Sequence, residues 1–120
     1  RDIGWMDLVM AKYTNRVNGY TDLGLTKLDM LSGIKTLKVA IAYELDGKQI
    51  DDMPADTSVI ERCQPVYEEL PGWDEDISGT TNFENLPVNA QKYVQFIEKF
   101  VGVPVTMIGT GADNADMIIR

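Results

Sequence analysis

Two short segments carry residue types whose spacing could recognise a ligand. The first is Thr26-Lys27-Leu28-Asp29, which follows the apolar run Leu23-Gly24-Leu25. A lysine two residues before an aspartate, at the carboxyl end of a strand, suits a guanine ring. The Asp29 carboxylate can accept from the ring N1–H and the exocyclic amino group, while the Lys27 stem lies flat over the purine with its ammonium in water. Adenine presents no such donor pair, and a carboxylate left unpaired against it makes rejection strong. The second segment is Gly109-Thr110-Gly111. It carries no bulky side chain to hold a ligand away, so its backbone N–H groups can point at an acceptor such as the guanine O6. Both segments also have plainer readings. Lys27 and Asp29 equally suit a surface pair capping a strand end, and Gly109–Gly111 a flexible connection.

The rest of the composition narrows the chemistry. The chain of 120 residues contains no histidine, so it supplies neither a Ser-His pair nor a His-metal site. Its single cysteine, Cys63, rules out an internal disulfide and fits a reducing compartment, the cytoplasm. A net charge of −8 argues against nucleic-acid or anionic-membrane surfaces, which need clustered Lys and Arg. The densest acidic run, Asp74-Glu75-Asp76, reads as a solvated loop and not a metal cage. No stretch approaches the ~20 apolar residues of a membrane span, and the N-terminus has no signal-peptide pattern. There is no phosphate loop of the G-x-x-x-x-G-K-[ST] kind. A guanine pocket in this chain therefore expects its phosphate cradle elsewhere. The chain opens on Arg1 without an initiator methionine, and we read it as a piece excised from a longer protein.

The elements that must position the two loops follow from periodicity. Trp5, Leu8, Val9, Tyr13 and Val17 have helical spacing, ended by Asn18-Gly19. Thr21–Thr26 reads as a short buried strand and Asp29–Gly33 as a loop. Leu37–Leu45 is a strong strand, with Asp46-Gly47 turning it into Lys48-Gln49-Ile50 as a hairpin. Pro54-Ala55 breaks the chain, Thr57–Arg62 allows one or two helical turns, and Gln64–Leu70 is another strand, stopped by Pro71-Gly72. Residues 74–85 read as a polar surface excursion. Pro87–Val101 is a second helix with the apolar stripe Ala90, Tyr93, Val94, Ile97 and Val101, closed by Gly102. Val103–Ile108 is a second buried strand, and Met117–Ile119 a final one. The expected fold class is α/β, one domain over residues 1–120. The strands Leu23–Thr26 and Val105–Ile108 should lie side by side in a larger mixed sheet, with an antiparallel hairpin-rich insert. Ligand sites in such sheets lie at strand carboxyl ends, where both loops fall.

Among the other residues, Trp73 and Tyr67 read as packing, as do Met6 and Met10. Cys63 reads as a small core or boundary residue. Glu68 and Glu69 are adjacent on a strand, so they face opposite sides and do not converge on one substrate.

Ordered blocks along the whole chain resemble the adenylosuccinate synthetase family, in its C-terminal part. They are Gly4-Trp5-Met6-Asp7-Leu8-Val9, Val17-Asn18-Gly19-Tyr20 and Leu25-Thr26-Lys27-Leu28-Asp29, then Val66-Tyr67-Glu68-Glu69-Leu70-Pro71-Gly72-Trp73, Val101-Gly102-Val103-Pro104-Val105 and Gly109-Thr110-Gly111. The resemblance implies a Mg²⁺-requiring ligase that joins IMP and L-aspartate, with GTP hydrolysed to GDP and phosphate, on the route to AMP. It implies P-loop-NTPase-like guanine-base loops, here Lys27, Leu28 and Asp29 with Gly109, Thr110 and Gly111. Arg1 matches the end of an arginine-rich loop that touches the aspartate substrate and the nucleotides. The resemblance places the catalytic residues, the phosphate loop and the Mg²⁺ site outside this chain, and it implies a homodimer. On that reading the piece is inactive alone. Asp2 stands where the family usually has a basic residue, Gly109 where serine is common, Ala112 where proline is, and Asn114 where arginine is. Gly109 would then act through its backbone. The alternatives are a stand-alone guanine-nucleotide-binding module, which lacks a phosphate loop, and a non-catalytic α/β interaction domain.

Overall fold

A computed structural model describes residues 5–54 and 57–120. Arg1, Asp2 and the Ala55 half of the Pro54-Ala55 break lie outside the described residues. The chain forms a mixed α/β fold built on two sheets, not the single larger sheet that the pattern suggests.

In the first sheet the ten-residue strand β3 (Thr36–Leu45) is the spine. β1 (Met6–Asp7) pairs with it in parallel, while β4 (Lys48–Ile50) and β5 (Gln64–Pro71) pair antiparallel. The β3–β4 turn is Asp46-Gly47, with φ of 52° and 83°. Paired left-handed residues match the right-handed twist of a hairpin, which explains that dipeptide. The hairpin-rich insert is thus present as expected.

The second sheet positions the two loops. β2 (Leu23–Leu25) pairs in parallel with β6 (Val105–Gly109), placing Leu25 opposite Ile108. β7 (Met117–Ile119) joins β6 antiparallel on its other side. Two helices lead into these strands. α1 (Leu8–Asn18) precedes β2, and α3 (Val88–Val101) precedes β6. Each ends at a left-handed glycine, Gly19 or Gly102, whose N–H donates back to the carbonyl of Asn15 or Glu98. A short helix α2 (Thr57–Arg62) lies between β4 and β5.

The N-terminal periodicity places the start of α1 too early. Trp5 precedes the helix, Met6–Asp7 is a strand, and Asp7 is the cap. Its Oδ1 accepts from the Met10 N–H at 3.0 Å, and its Oδ2 from the Tyr43 hydroxyl at 2.5 Å. One carboxylate therefore ends a strand, starts a helix and ties both to β3. The buried stripe is also shorter than the spacing suggests. Leu8 and Val9 are buried, but Met10, Tyr13 and Val17 are exposed, so Met10 is not core filler. On α3 the stripe is right, and Ala90, Tyr93, Val94, Ile97 and Val101 are all buried. They pack in one core with Leu8, Leu37, Val39, Val105, Ile108 and Trp73. At α3's far end Glu98 Oε2 accepts from the Val105 N–H at 2.7 Å and from Arg120 at 2.8 Å, bracing the start of β6 against the last residue.

Candidate functional site

The parallel pairing of β2 and β6 brings both loops to the same edge. After Leu25 the chain must turn sharply. Lys27 does this in the left-handed region at φ 59°, an uncommon conformation for a residue with a β-carbon. A 3₁₀ turn over Leu28–Leu31 follows, with the Met30 N–H donating to the Lys27 carbonyl at 3.0 Å and the Ser32 N–H to the Asp29 carbonyl at 3.2 Å. The turn is anchored from beneath, since Leu28 is 2% exposed and packs in the core. Leu28 is therefore a support, and its side chain does not line the site. Ser32 adds a second anchor by accepting the Trp73 indole N–H at 2.9 Å.

Lys27 and Asp29 flank that anchor and line a cavity of about 430 Å³, together with Thr26, Met30, Gly109, Gly111, Asp116 and Met117. This is within the ~300–1,000 Å³ range of small-molecule sites. Asp29 Oδ1 is buried and has no hydrogen-bond partner. An unpaired buried acceptor costs about 1–3 kcal/mol, and a donor entering the cavity would remove that cost. The lining carries three carboxylates, Asp29, Asp113 and Asp116, against the single ammonium of Lys27. That balance opposes a phosphate, and Asp29 in particular suits the donor edge of a base. A second cavity of about 410 Å³, between Lys35, Trp73, Glu75 and Asn89, contains no such orphaned group.

The second loop divides its work. Thr110 is fully buried. Its N–H donates to the Asp116 carbonyl at 2.8 Å, its hydroxyl to the Thr80 carbonyl at 2.8 Å, and its carbonyl accepts from the Gly79 N–H at 3.1 Å. With its donors committed internally, Thr110 ties the loop down and is not one of the residues lining the cavity. Gly109 lies directly against the first loop, where a β-carbon would make ordinary contact with the Thr26 Cα at 3.4 Å and the Lys27 nitrogen at 3.5 Å. Among the described residues, the N–H groups of Gly111 and Ala112 donate to no protein acceptor. Gly111 and Ala112 both line the cavity, across from Asp29 with its unpaired oxygen.

Sequence reasoning missed the strap beneath this loop. Residues 74–85 are not merely a surface excursion. Ile77 is 2% exposed in the core, and Gly79 and Thr80 hold Thr110. The available signal was Ile77 itself, one aliphatic residue within an otherwise polar run. The cavity-lining residues Met30, Asp116 and Met117 were missed as well.

A family model for adenylosuccinate synthetase matches residues 1–118. The chain belongs to the adenylosuccinate synthetase family. The adenylosuccinate synthetase of Schizosaccharomyces pombe is 48% identical over all 120 residues, and that of Listeria monocytogenes is 51% identical over 115. The matches cover 100% and 96% of this chain, but only 28% and 27% of those relatives, so the chain spans little more than a quarter of their length. A fully ligated adenylosuccinate synthetase from Plasmodium falciparum superposes with a TM-score of 0.91 at 36% identity, covering 98% of this chain and 28% of that one.

The remaining residues sort by burial. Arg1, assigned by resemblance to the aspartate and nucleotide loop, lies outside the described residues. Trp73 packs edge-on to Tyr93 in the core, as expected. Tyr67 does not, being exposed on β5 beneath the Lys38 ammonium. Cys63 is half-buried, with its thiol toward the Val59 carbonyl. Glu68 and Glu69 are both exposed. Among the described residues no group of three or more His, Cys, Asp or Glu side chains is placed to hold a metal ion. No helix among the described residues is long and apolar enough to cross a membrane.

Proposed function

We propose that this chain supplies the guanine-recognition loops of a GTP-dependent adenylosuccinate synthetase, corresponding to its C-terminal part. The observation that carries the reading is the buried, unpartnered Asp29 Oδ1 beside Lys27, in a cavity whose other wall is the Gly109–Ala112 loop. In the complex Asp29 accepts from guanine N1–H and the exocyclic amine, Lys27 covers the ring, and the Gly111–Ala112 backbone donates to O6. Discrimination arises because adenine would leave both walls unpaired.

In the intact enzyme IMP gives up its N1 proton and its 6-oxygen takes the γ-phosphoryl group of GTP, releasing GDP. The amine of L-aspartate then attacks C6, the C–O bond breaks with its electron pair leaving on phosphate, and the amine gives up a proton. This chain's part is to select and orient the nucleotide, which is positioning and not bond-making. The proposal takes the bond-making groups, the phosphate cradle and Mg²⁺ to belong to residues beyond these. It also takes the working enzyme to be a cytoplasmic homodimer, and the 120-residue piece to be inactive by itself.

The test is adenylosuccinate formation by the full-length protein from IMP and L-aspartate, with GTP, ITP or ATP supplied. Activity with GTP that falls with ITP and is lost with ATP supports the reading. Equal use of GTP and ATP would overturn it.

A further inference from the structure

We propose that Asp116 is a positioning residue for the nucleotide loop, holding Gly111 and Ala112 so that their N–H groups are presented to the base. The proposal rests on the guanine reading of the cavity and adds to it a residue that contacts the loop and not the ring.

Three observations converge on Asp116. Its carbonyl accepts from the Thr110 N–H at 2.8 Å, and its own N–H donates to the Asp113 carbonyl at 2.9 Å, so its backbone closes the loop at both ends. Its carboxylate Oδ2 faces the Asp113 N–H at 3.4 Å, across the same turn. The carboxylate also occupies the space over Gly111. A β-carbon on Gly111 would collide with Oδ2 and lie 2.8 Å from the Asp116 Cγ and 2.9 Å from its Cβ. On its other side a β-carbon on Gly79 would meet Oδ1 at 3.7 Å. The side chain is thus seated between two glycines, one on the loop and one on the strap that holds Thr110.

The arrangement explains why position 111 is a glycine although nothing in its backbone angles demands one. Of the chain's glycines with left-handed φ, Gly111 is not one. What glycine provides here is room for a carboxylate. That carboxylate takes the Asp113 N–H inward, and the N–H groups of Gly111 and Ala112 are left without a protein acceptor. A negative group beside O6 would be repelled by it, so Asp116 acts through the backbone it holds and not by touching the ligand.

The experiment uses full-length enzyme and measures kcat and KM for GTP and for IMP in single and double variants, with Asp29→Ala as reference. Asp116→Ala should raise the KM for GTP by about tenfold, with a change of no more than about twofold in the KM for IMP. Asp116→Asn should recover most of that loss, because its amide oxygen still accepts from the Asp113 N–H. Gly111→Ala should raise the KM for GTP on its own, yet add no more than about twofold in an Asp116→Gly background, where the added methyl has room. If Asp29→Ala raises the KM for GTP and Asp116→Ala does not, the proposal fails and the guanine reading stands. Asp116→Asn as damaging as Asp116→Ala would show that charge matters and not position, which also overturns it. Silence of Asp29→Ala would bring down the guanine reading itself, and this proposal with it. Should Asp116→Ala fail to fold, Gly111→Ala alone decides: a raised KM for GTP with the KM for IMP held within about twofold supports the proposal, and an unchanged KM for GTP overturns it.

Discussion

Asp29→Ala separates a ligand-binding carboxylate from a structural one by the sign of two effects. In the unliganded protein Asp29 Oδ1 is buried without a partner. Removing it therefore relieves a desolvation penalty of about 1–3 kcal/mol, partly offset by the space left behind. The thermal midpoint of the full-length enzyme should hold or rise. On the proposed guanine reading the same carboxylate accepts two hydrogen bonds from the base, and bonds to charged groups contribute about 1.5–3 kcal/mol each. Their loss should weaken GTP by about 3–6 kcal/mol, or between about a hundredfold and ten-thousandfold in KM where KM follows binding. ITP lacks the exocyclic amine, so the wild type should prefer GTP by between about tenfold and a hundredfold, one such hydrogen bond's worth, and the variant should lose that preference. The assay is steady-state kinetics with GTP, ITP and ATP, paired with thermal melting. A fall of several degrees in the midpoint with an unchanged GTP-to-ITP ratio would refute the reasoning, because it would make Asp29 a fold-stabilising group.

Other outcomes follow from the supports of the two loops. Leu28→Ala empties a core position that is 2% exposed and should cost about 2–5 kcal/mol, read as a lower urea midpoint of the full-length enzyme, with a raised KM for GTP as its turn loosens. Thr110→Val keeps the volume but leaves the Thr80 carbonyl unpaired. It should cost about 1–2 kcal/mol in the same measurement and raise the KM for GTP more than that for IMP. Burial pushes the Tyr93 phenol up to about 12. Above pH ~10 the unfolded state ionises at this residue while the folded state keeps its proton. The stability this residue contributes is thus complete below that pH and lost as pH rises toward 12, so wild-type urea midpoints should fall more steeply there than those of Tyr93→Phe.

How much of this was legible in advance is clearest residue by residue. The α3 stripe, the Gly19 and Gly102 stops and the Asp46-Gly47 hairpin turn all follow from local rules. Period, capping and φ preference are properties of adjacent residues, and a single chain displays them. The two loops were legible for the same reason, since donor and acceptor types at fixed spacing survive without coordinates. Met6–Asp7 was not, because two residues have no period, and only β3 arriving alongside makes them a strand. Met10, Tyr13 and Val17 share helical spacing with Leu8 and Val9, yet only packing decides which side is covered. Lys27, Leu28 and Asp29 stand together in the sequence as one clamp. Tertiary structure divides them, burying Leu28 as the anchor and leaving the flanking pair to line the cavity. It likewise turns Thr110 inward, onto a strap some thirty residues away in sequence. Residue chemistry therefore proposed a guanine clamp, and only the tertiary structure decided which of its atoms are free to bind. The physical reason is that a polar atom's availability depends on whether distant backbone has already satisfied it.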